Sequence, residues 1–299
     1  MAEWRPKVAG LERVLGTGAL FSTAYGNVGS SIYYALGLVA VFALGMTPVV
    51  FLIAGVIFIC TAATYTEATT MYPEAGGSSS FARRAFNEFW SFFAAWGQML
   101  NYIITVAISA FFVPHYLGVF WEPLSKSPAD IIVGIAVVAM LAGLNIVRIQ
   151  ESARLNIFLA LADFFTQVLL VIAGIVLVLS PDTLIQNVDF GTSPTVGDFL
   201  IAIPVGMVAY TGIETISNMA EEAKDYGKTI PRGMGAVVAA VVAIYAFLPA
   251  VALSALPVVD GQTALALSEE EGGYAGDPGL GVVENMNLGA WQAPVVIYL

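Results

Sequence analysis

Long apolar runs separated by short polar or glycine-rich stretches dominate the chain. A helix that crosses a bilayer needs about 20 mainly apolar residues. Such runs lie at 17–45, 47–71, 88–113, 129–147, 155–179, 196–220 and 233–256, and an eighth begins near Leu288 and continues to Leu299. None alternates polar and apolar positions as barrel strands do, so all are predicted to be helices. The first run is too long for a secretory signal, is interrupted by glycine and polar residues, and is followed by no small-residue cleavage site. Residues 257–287 are acidic and glycine-rich and read as one long external loop. Because the eighth run stops after a few turns, the chain is expected to be a fragment of a longer protein.

Composition agrees with a single multi-pass transmembrane domain, 1–299. Of the 299 residues, 58% are hydrophobic and 11% charged, and the mean hydropathy is +0.82. An ordinary soluble domain carries about 25% charged residues to cover its surface. The net charge of −11, with 11 Lys and Arg, excludes a nucleic-acid binder, which needs a basic face. Cys60 is the only cysteine, so no disulfide framework exists. The distribution of basic residues sets the orientation. With the N-terminus inside, Arg5, Lys7, Arg13, Arg83, Arg84, Arg148, Arg154, Lys224, Lys228 and Arg232 are cytoplasmic, ten of the 11. Lys126 is the exception. Asp182, Asp189, Asp198, Asp260, Glu269–Glu271, Asp277 and Glu284 then lie outside.

Two runs are interrupted in their interiors. The first contains Gly26-Asn27-Val28-Gly29-Ser30-Ser31, and the sixth contains Ala209-Tyr210-Thr211-Gly212-Ile213-Glu214 shortly after Pro204. Unwound backbone is tolerated at membrane depth only where it is buried in protein or lines a wet cavity, and there its free N–H and C=O groups hold a ligand. The two interrupted runs are five spans apart. An odd repeat necessarily enters the membrane inverted, and paired interruptions in inverted halves point to a transporter site. The plainer reading is that membrane helices carry glycine for packing.

Three carboxylates fall within runs: Glu67, Asp163 and Glu214. Charges at that depth are costly and face the interior. Glu214, just past the second interruption, is placed to take a proton or pair with a substrate amine; Asp163 is placed to hold a coupling cation or proton. Glu67 lies near the cytoplasmic end and reaches the interface. Gln98, Asn101, Thr105 and Ser109 recur at intervals of three and four residues, which puts them on one helical face. That face is expected to look inward, either toward the site or toward polar partners on neighbouring helices. His115, beside Pro114, reads as an interface residue. No Walker A loop is present, Cys60 and His115 are too few for a usual metal site, and every lysine lies outside the runs, which excludes a retinal Schiff base. No cofactor is expected.

With these residues in place, the chain resembles the amino acid–polyamine–organocation superfamily, and within it the amino-acid permeases. The resemblance rests on Gly29-Ser30-Ser31-Ile32 at the first interruption, Tyr72-Pro73-Glu74-Ala75-Gly76-Gly77 after the second run, and Glu151-Ser152-Ala153-Arg154-Leu155-Asn156 opening the fifth. Gly212-Ile213-Glu214 follows, with Glu221-Glu222 and Ile230-Pro231-Arg232 after it. It implies an all-α membrane fold of two inverted five-helix repeats, usually with two further helices. Here the first repeat would span about 14–180 and the second would start at about 196. It also implies a substrate carboxylate at Gly29, Ser30, Ser31 and Ile32, and a substrate amine at the carbonyls near Tyr210, Thr211 and Gly212. Asn27, Asn101 and Thr105 would shape the pocket, and Asp163 and Glu214 would couple transport to a proton or sodium. The chain departs from the pattern at Ser31, where the family has glycine, and at Asp163, where some proton-coupled relatives have lysine.

A second resemblance is to potassium importers of the same superfamily, carried by Asn27, Ser30, Ser31 and Tyr34, by Asn101-Tyr102 with Thr105-Val106-Ala107 and Ser109, and by Thr211-Gly212 with Glu214. Asn27 and Asn101 replace the aspartates of those importers. The expected function is a secondary transporter of amino acids or related amines, with a small-molecule substrate, in the plasma membrane. A monovalent-cation importer, a transport-dead sensor and a scaffolding subunit are the alternatives.

Overall fold

The computed structural model describes residues 13–118, 120–147, 149–186, 188–268 and 271–286. The eighth run, Arg5, Lys7, Arg148, Glu269 and Glu270 lie outside them. Among the described residues the regular structure is helical. The first run is α1 (Thr17–Val28), one 3-10 turn (Gly29–Ser31) and α2 (Ile32–Ala43); the second is α3 (Thr47–Met71). The surface helix α4 (Ser78–Ala85) precedes α5 (Glu88–Gly118), α6 (Ala129–Val147) and α7 (Ile149–Leu177), which are the third to fifth runs. After the short α8 (Pro181–Gln186), the sixth run is α9 (Val196–Val208) and α10 (Glu214–Asn218), and the seventh is α11 (Tyr226–Ala255). A last short helix, α12 (Pro278–Glu284), follows. All seven described runs are therefore helical.

Two of the runs extend further than their apolar stretches. Helix α5 passes Pro114 and ends at Gly118, and α11 starts at Tyr226, ahead of Pro231. Each helix runs through its proline, giving up only the one backbone donor that proline lacks. The stretch 257–287, expected to be a loop, contains α12. Pro278 to Val283 are buried there, and α12 packs against α2 and α11. Leu280, Val282 and Val283 are too short a group to read as a span, but they suffice to seat two turns on the bundle.

The core lies between α1, α2, α3, α9 and α11. Tyr25, Phe51, Phe58 and Tyr245 are its largest fully buried side chains. Helix α11 packs along α3 and crosses α1 and α7, while α9 packs on α2 and α3. Helices α5 and α6 present Ile103, Ile104, Ile131, Ile135 and Met140 outward, an apolar surface suited to lipid. In lipid, removing a core side chain costs mainly the cavity, because the transfer term is small. Phe51→Ala is therefore expected to destabilise the fold by about 2 kcal/mol, read as a fall of several degrees in the unfolding midpoint in detergent. Phe92→Ala, on an exposed side chain, serves as the control and should leave the midpoint unchanged.

Candidate functional site

The second interruption is a true break. Helix α9 ends at Val208, residues 209–213 form turns, and α10 restarts at Glu214. Gly212 makes this possible, with φ +121°. A Cβ there would also come within 2.9 Å of the Asn27 amide. The turn leaves the carbonyls of Ala209, Tyr210 and Thr211 without a hydrogen-bond donor among the described residues, whereas Gly212 O accepts from Thr215 N–H at 3.1 Å.

Four expected site residues converge on this break. The Gly212 N–H donates to Glu214 Oε2 at 2.9 Å, and Asn101 Nδ2 donates to Glu214 Oε1 at 3.4 Å. Asn27 Nδ2 donates to Thr215 Oγ1 at 2.9 Å. Glu214 thus sits at the N-terminus of its half-helix, where the dipole favours negative charge. The arrangement joins α1, α5 and the break through one carboxylate and two amides. The hydroxyls of Tyr65 and Tyr102 are near enough to feel the Glu214 charge.

The first interruption is narrower than its sequence suggests. Instead of unwound chain there is a single 3-10 turn with right-handed dihedrals, φ −62° and ψ −40° at Gly29. Its serines turn back on their own helix: Ser30 Oγ donates to Gly26 O at 2.9 Å, and Ser31 Oγ to Asn27 O at 3.4 Å while accepting from Tyr34 at 2.8 Å. Gly26 serves packing, since a Cβ there would meet Ala160 Cβ at 3.1 Å. The carbonyls turned out by the 3-10 turn are occupied. Tyr245 Oη donates to Val28 O at 2.7 Å and to Gly29 O at 3.1 Å, and Gln167 Nε2 donates to Gly29 O at 2.9 Å.

Asp163 joins this second cluster. Its Oδ1 accepts from Gln167 Nε2 at 2.9 Å, and its buried Oδ2 has no hydrogen-bond partner among the described residues. Gln167 is wholly buried, and its Oε1 accepts from Tyr25 Oη at 3.2 Å. Sequence reasoning passed over Gln167, Tyr25 and Tyr245. The available signal was the one used for the carboxylates, a polar group inside an apolar run that must find a partner.

Other expected residues fall elsewhere. The side chain of Ile32 belongs to the core. Tyr210 points into the core as well, with its hydroxyl on Phe51 O at 2.8 Å, so only its backbone faces the break. Thr211 Oγ1 is tied to Val208 O at 2.9 Å. Thr105 and Ser109 make no side-chain hydrogen bond among the described residues, while Gln98, on the same face, bonds Ser78 and Tyr102. Tyr102 also accepts from Asn218 at 2.8 Å, and Ser217 pairs with Thr69 at 2.7 Å, so the far end of α10 is held by α3 and α5. Glu67 is exposed and lines a separate cleft of about 280 Å³ with Tyr72 and Arg84. Among the described residues His115 hydrogen-bonds only Phe111 O, on its own helix.

A model of the family described as "Amino acid permease" matches residues 15–266. An uncharacterized transporter of Mycobacterium tuberculosis is 26% identical over 246 residues, 81% of this chain and 51% of the relative. "Cationic amino acid transporter 7, chloroplastic" of Arabidopsis thaliana is 27% identical over 249 residues, 77% of this chain and 42% of the relative. The "low-affinity putrescine importer PlaP" of Escherichia coli is 24% identical over 208 residues, 68% and 45% respectively. The chain spans about half the length of the curated relatives it matches. A broken helix carrying a half-buried carboxylate, set in an apolar bundle of helices, marks an integral membrane protein of the permease class. The chain belongs to the amino acid permease family.

Proposed function

We propose that this protein is a secondary transporter of amino acids or related amines that works by alternating access and is driven by a proton. The observation that carries the reading is the second break, where Glu214, Asn27 and Asn101 meet beside the open carbonyls of residues 209–211. Three carbonyl dipoles make a site for a cationic amine, with the Glu214 carboxylate beside them to exchange the coupling proton. Two similar proteins carry names that refer to a cationic amino acid and to putrescine, which supports an amine-bearing substrate. The N–H groups around Gly29 to Ile32 would receive a carboxylate when the 3-10 turn loosens. Glu214 and Asp163 would carry the coupling proton. In this reading two inverted repeats, about 14–180 and from about 196, rock around the breaks in the plasma membrane with the N-terminus cytoplasmic.

The test is uptake into proteoliposomes by the full-length protein under an imposed pH gradient, offering a labelled amino-acid mixture, labelled putrescine or labelled rubidium in parallel. Gradient-driven accumulation of an amino acid or of putrescine is the expected result. Rubidium accumulation alone would overturn it and assign Asn27 and Asn101 to a bare cation. Binding without flux would make the protein a sensor, and accumulation driven by sodium alone would remove the proton.

A further inference from the structure

Among the described residues, the amide of Gln167 hydrogen-bonds both the first break and Asp163. It is wholly buried, and every polar atom in it is used: Nε2 donates to Gly29 O and to Asp163 Oδ1, each at 2.9 Å, and Oε1 accepts from Tyr25 at 3.2 Å. An amide nitrogen has two donors, so neither partner can be replaced without releasing the other from its alignment.

We propose that Gln167 is a positioning residue that transmits the charge on Asp163 to the first break by sharing its two amide donors between Asp163 and the Gly29 carbonyl. The inference rests on the reading of Asp163 as a proton carrier and adds the residue through which that proton is sensed. With Asp163 ionised, one Gln167 N–H is held by a charge-assisted bond, about twice as strong as a neutral one. That bond fixes the amide plane and aims the second N–H at Gly29 O. A proton arriving at Oδ2, the oxygen without a partner, removes the charge and weakens the anchor. The Gly29 carbonyl then keeps the Ile32 N–H of its own turn and the Tyr245 hydroxyl at 3.1 Å, which lies closer to Val28 O at 2.7 Å. Of the carbonyls at the break, Gly29 O is the one that loses a side-chain donor.

The surroundings of Asp163 suit a charge that is felt locally. The titratable groups facing it are tyrosines from four helices: Tyr25 of α1, Tyr33 of α2, Tyr116 of α5 and Tyr245 of α11. Tyr116 also feels Asp277. Among the described residues no basic side chain forms an ion pair with Asp163. The Gln167 amide, at 2.9 Å, is the donor that holds Asp163, with the Tyr33 hydroxyl facing it from α2.

The experiment measures KM and the maximal rate of uptake against pH for the full-length protein in proteoliposomes, with the labelled amino-acid mixture as the probe. Wild-type KM is expected to change about fivefold or more between about pH 5.5 and about pH 8, the range of ordinary coupling energies. Gln167→Met should still transport but hold KM within about twofold over that range. A purely structural role would lower uptake at every pH alike, and that result would overturn the proposal. Should Gln167→Met fail to fold, Gln167→Asn keeps a neutral amide but is one methylene too short to reach both partners, and it makes the same test. Asp163→Asn separates the two levels. If it leaves the pH profile unchanged, the proton-carrier reading of Asp163 fails; if it flattens the profile while Gln167→Met does not, the role of Gln167 alone fails.

Discussion

Gly212→Ala is expected to reduce uptake to the level of protein-free vesicles. Two separate costs act at this position. The backbone sits at φ +121°, a conformation that residues with a Cβ rarely adopt, and forcing one there costs about 1–3 kcal/mol. The added methyl would also lie 2.9 Å from Asn27 Cγ and Nδ2 and 3.0 Å from Val28 Cγ2. Those are side-chain atoms of α1, so relief requires the Asn27 amide to swing off Thr215 or the two helices to separate. Separation strains the Asn27–Thr215 hydrogen bond and the Gly212 N–H contact to Glu214 together. The measurement pairs uptake with the unfolding midpoint, using Gly235→Ala as the control. A Cβ at Gly235 meets nothing within 4 Å, so that variant should transport normally. Normal transport by Gly212→Ala would mean that the break does not need its present shape.

The contrast between the two breaks marks what local sequence can and cannot reveal. Runs of apolar residues specify spans because the requirement, about 20 residues of hydrocarbon thickness, is local. The break before Glu214 was legible for a related reason, since glycine and polar residues fall where helix propensity and burial both oppose them. Gly26-Asn27-Val28-Gly29 carries the same signature but forms only one 3-10 turn. There the glycines are taken up by contacts that no local pattern encodes, Gly26 against Ala160 and Gly29 beneath the ring of Tyr25. What keeps that turn closed, Gln167 and Tyr245, comes from residues more than a hundred positions away. The polar stripe of the third run was half legible for the same reason. Spacing puts Gln98, Asn101, Thr105 and Ser109 on one face, but only Gln98 and Asn101 meet partners on α4 and α10. Likewise α12 was hidden, because its two turns are stable only when seated against α2 and α11.

Glu214→Gln is expected to abolish gradient-driven accumulation while leaving substrate binding within about tenfold of wild type. The substitution is isosteric and removes only the ionisable group. Glu214 is held by two donors, Gly212 N–H at 2.9 Å and Asn101 Nδ2 at 3.4 Å. A glutamine keeps its carbonyl oxygen for Gly212, and rotation of the Asn101 amide presents an oxygen to the new NH₂ group, so the cluster stays satisfied. The open carbonyls of residues 209–211 remain to receive an amine, which is why binding survives. What disappears is the capacity to take up and release a proton beside the substrate, and with it the link between substrate movement and the gradient. Counterflow exchange, which needs no net proton movement, should therefore persist in the same vesicles. Wild-type accumulation with an unchanged dependence on the gradient would take Glu214 out of the coupling step. Loss of binding together with uptake would instead make its negative charge part of the amine site.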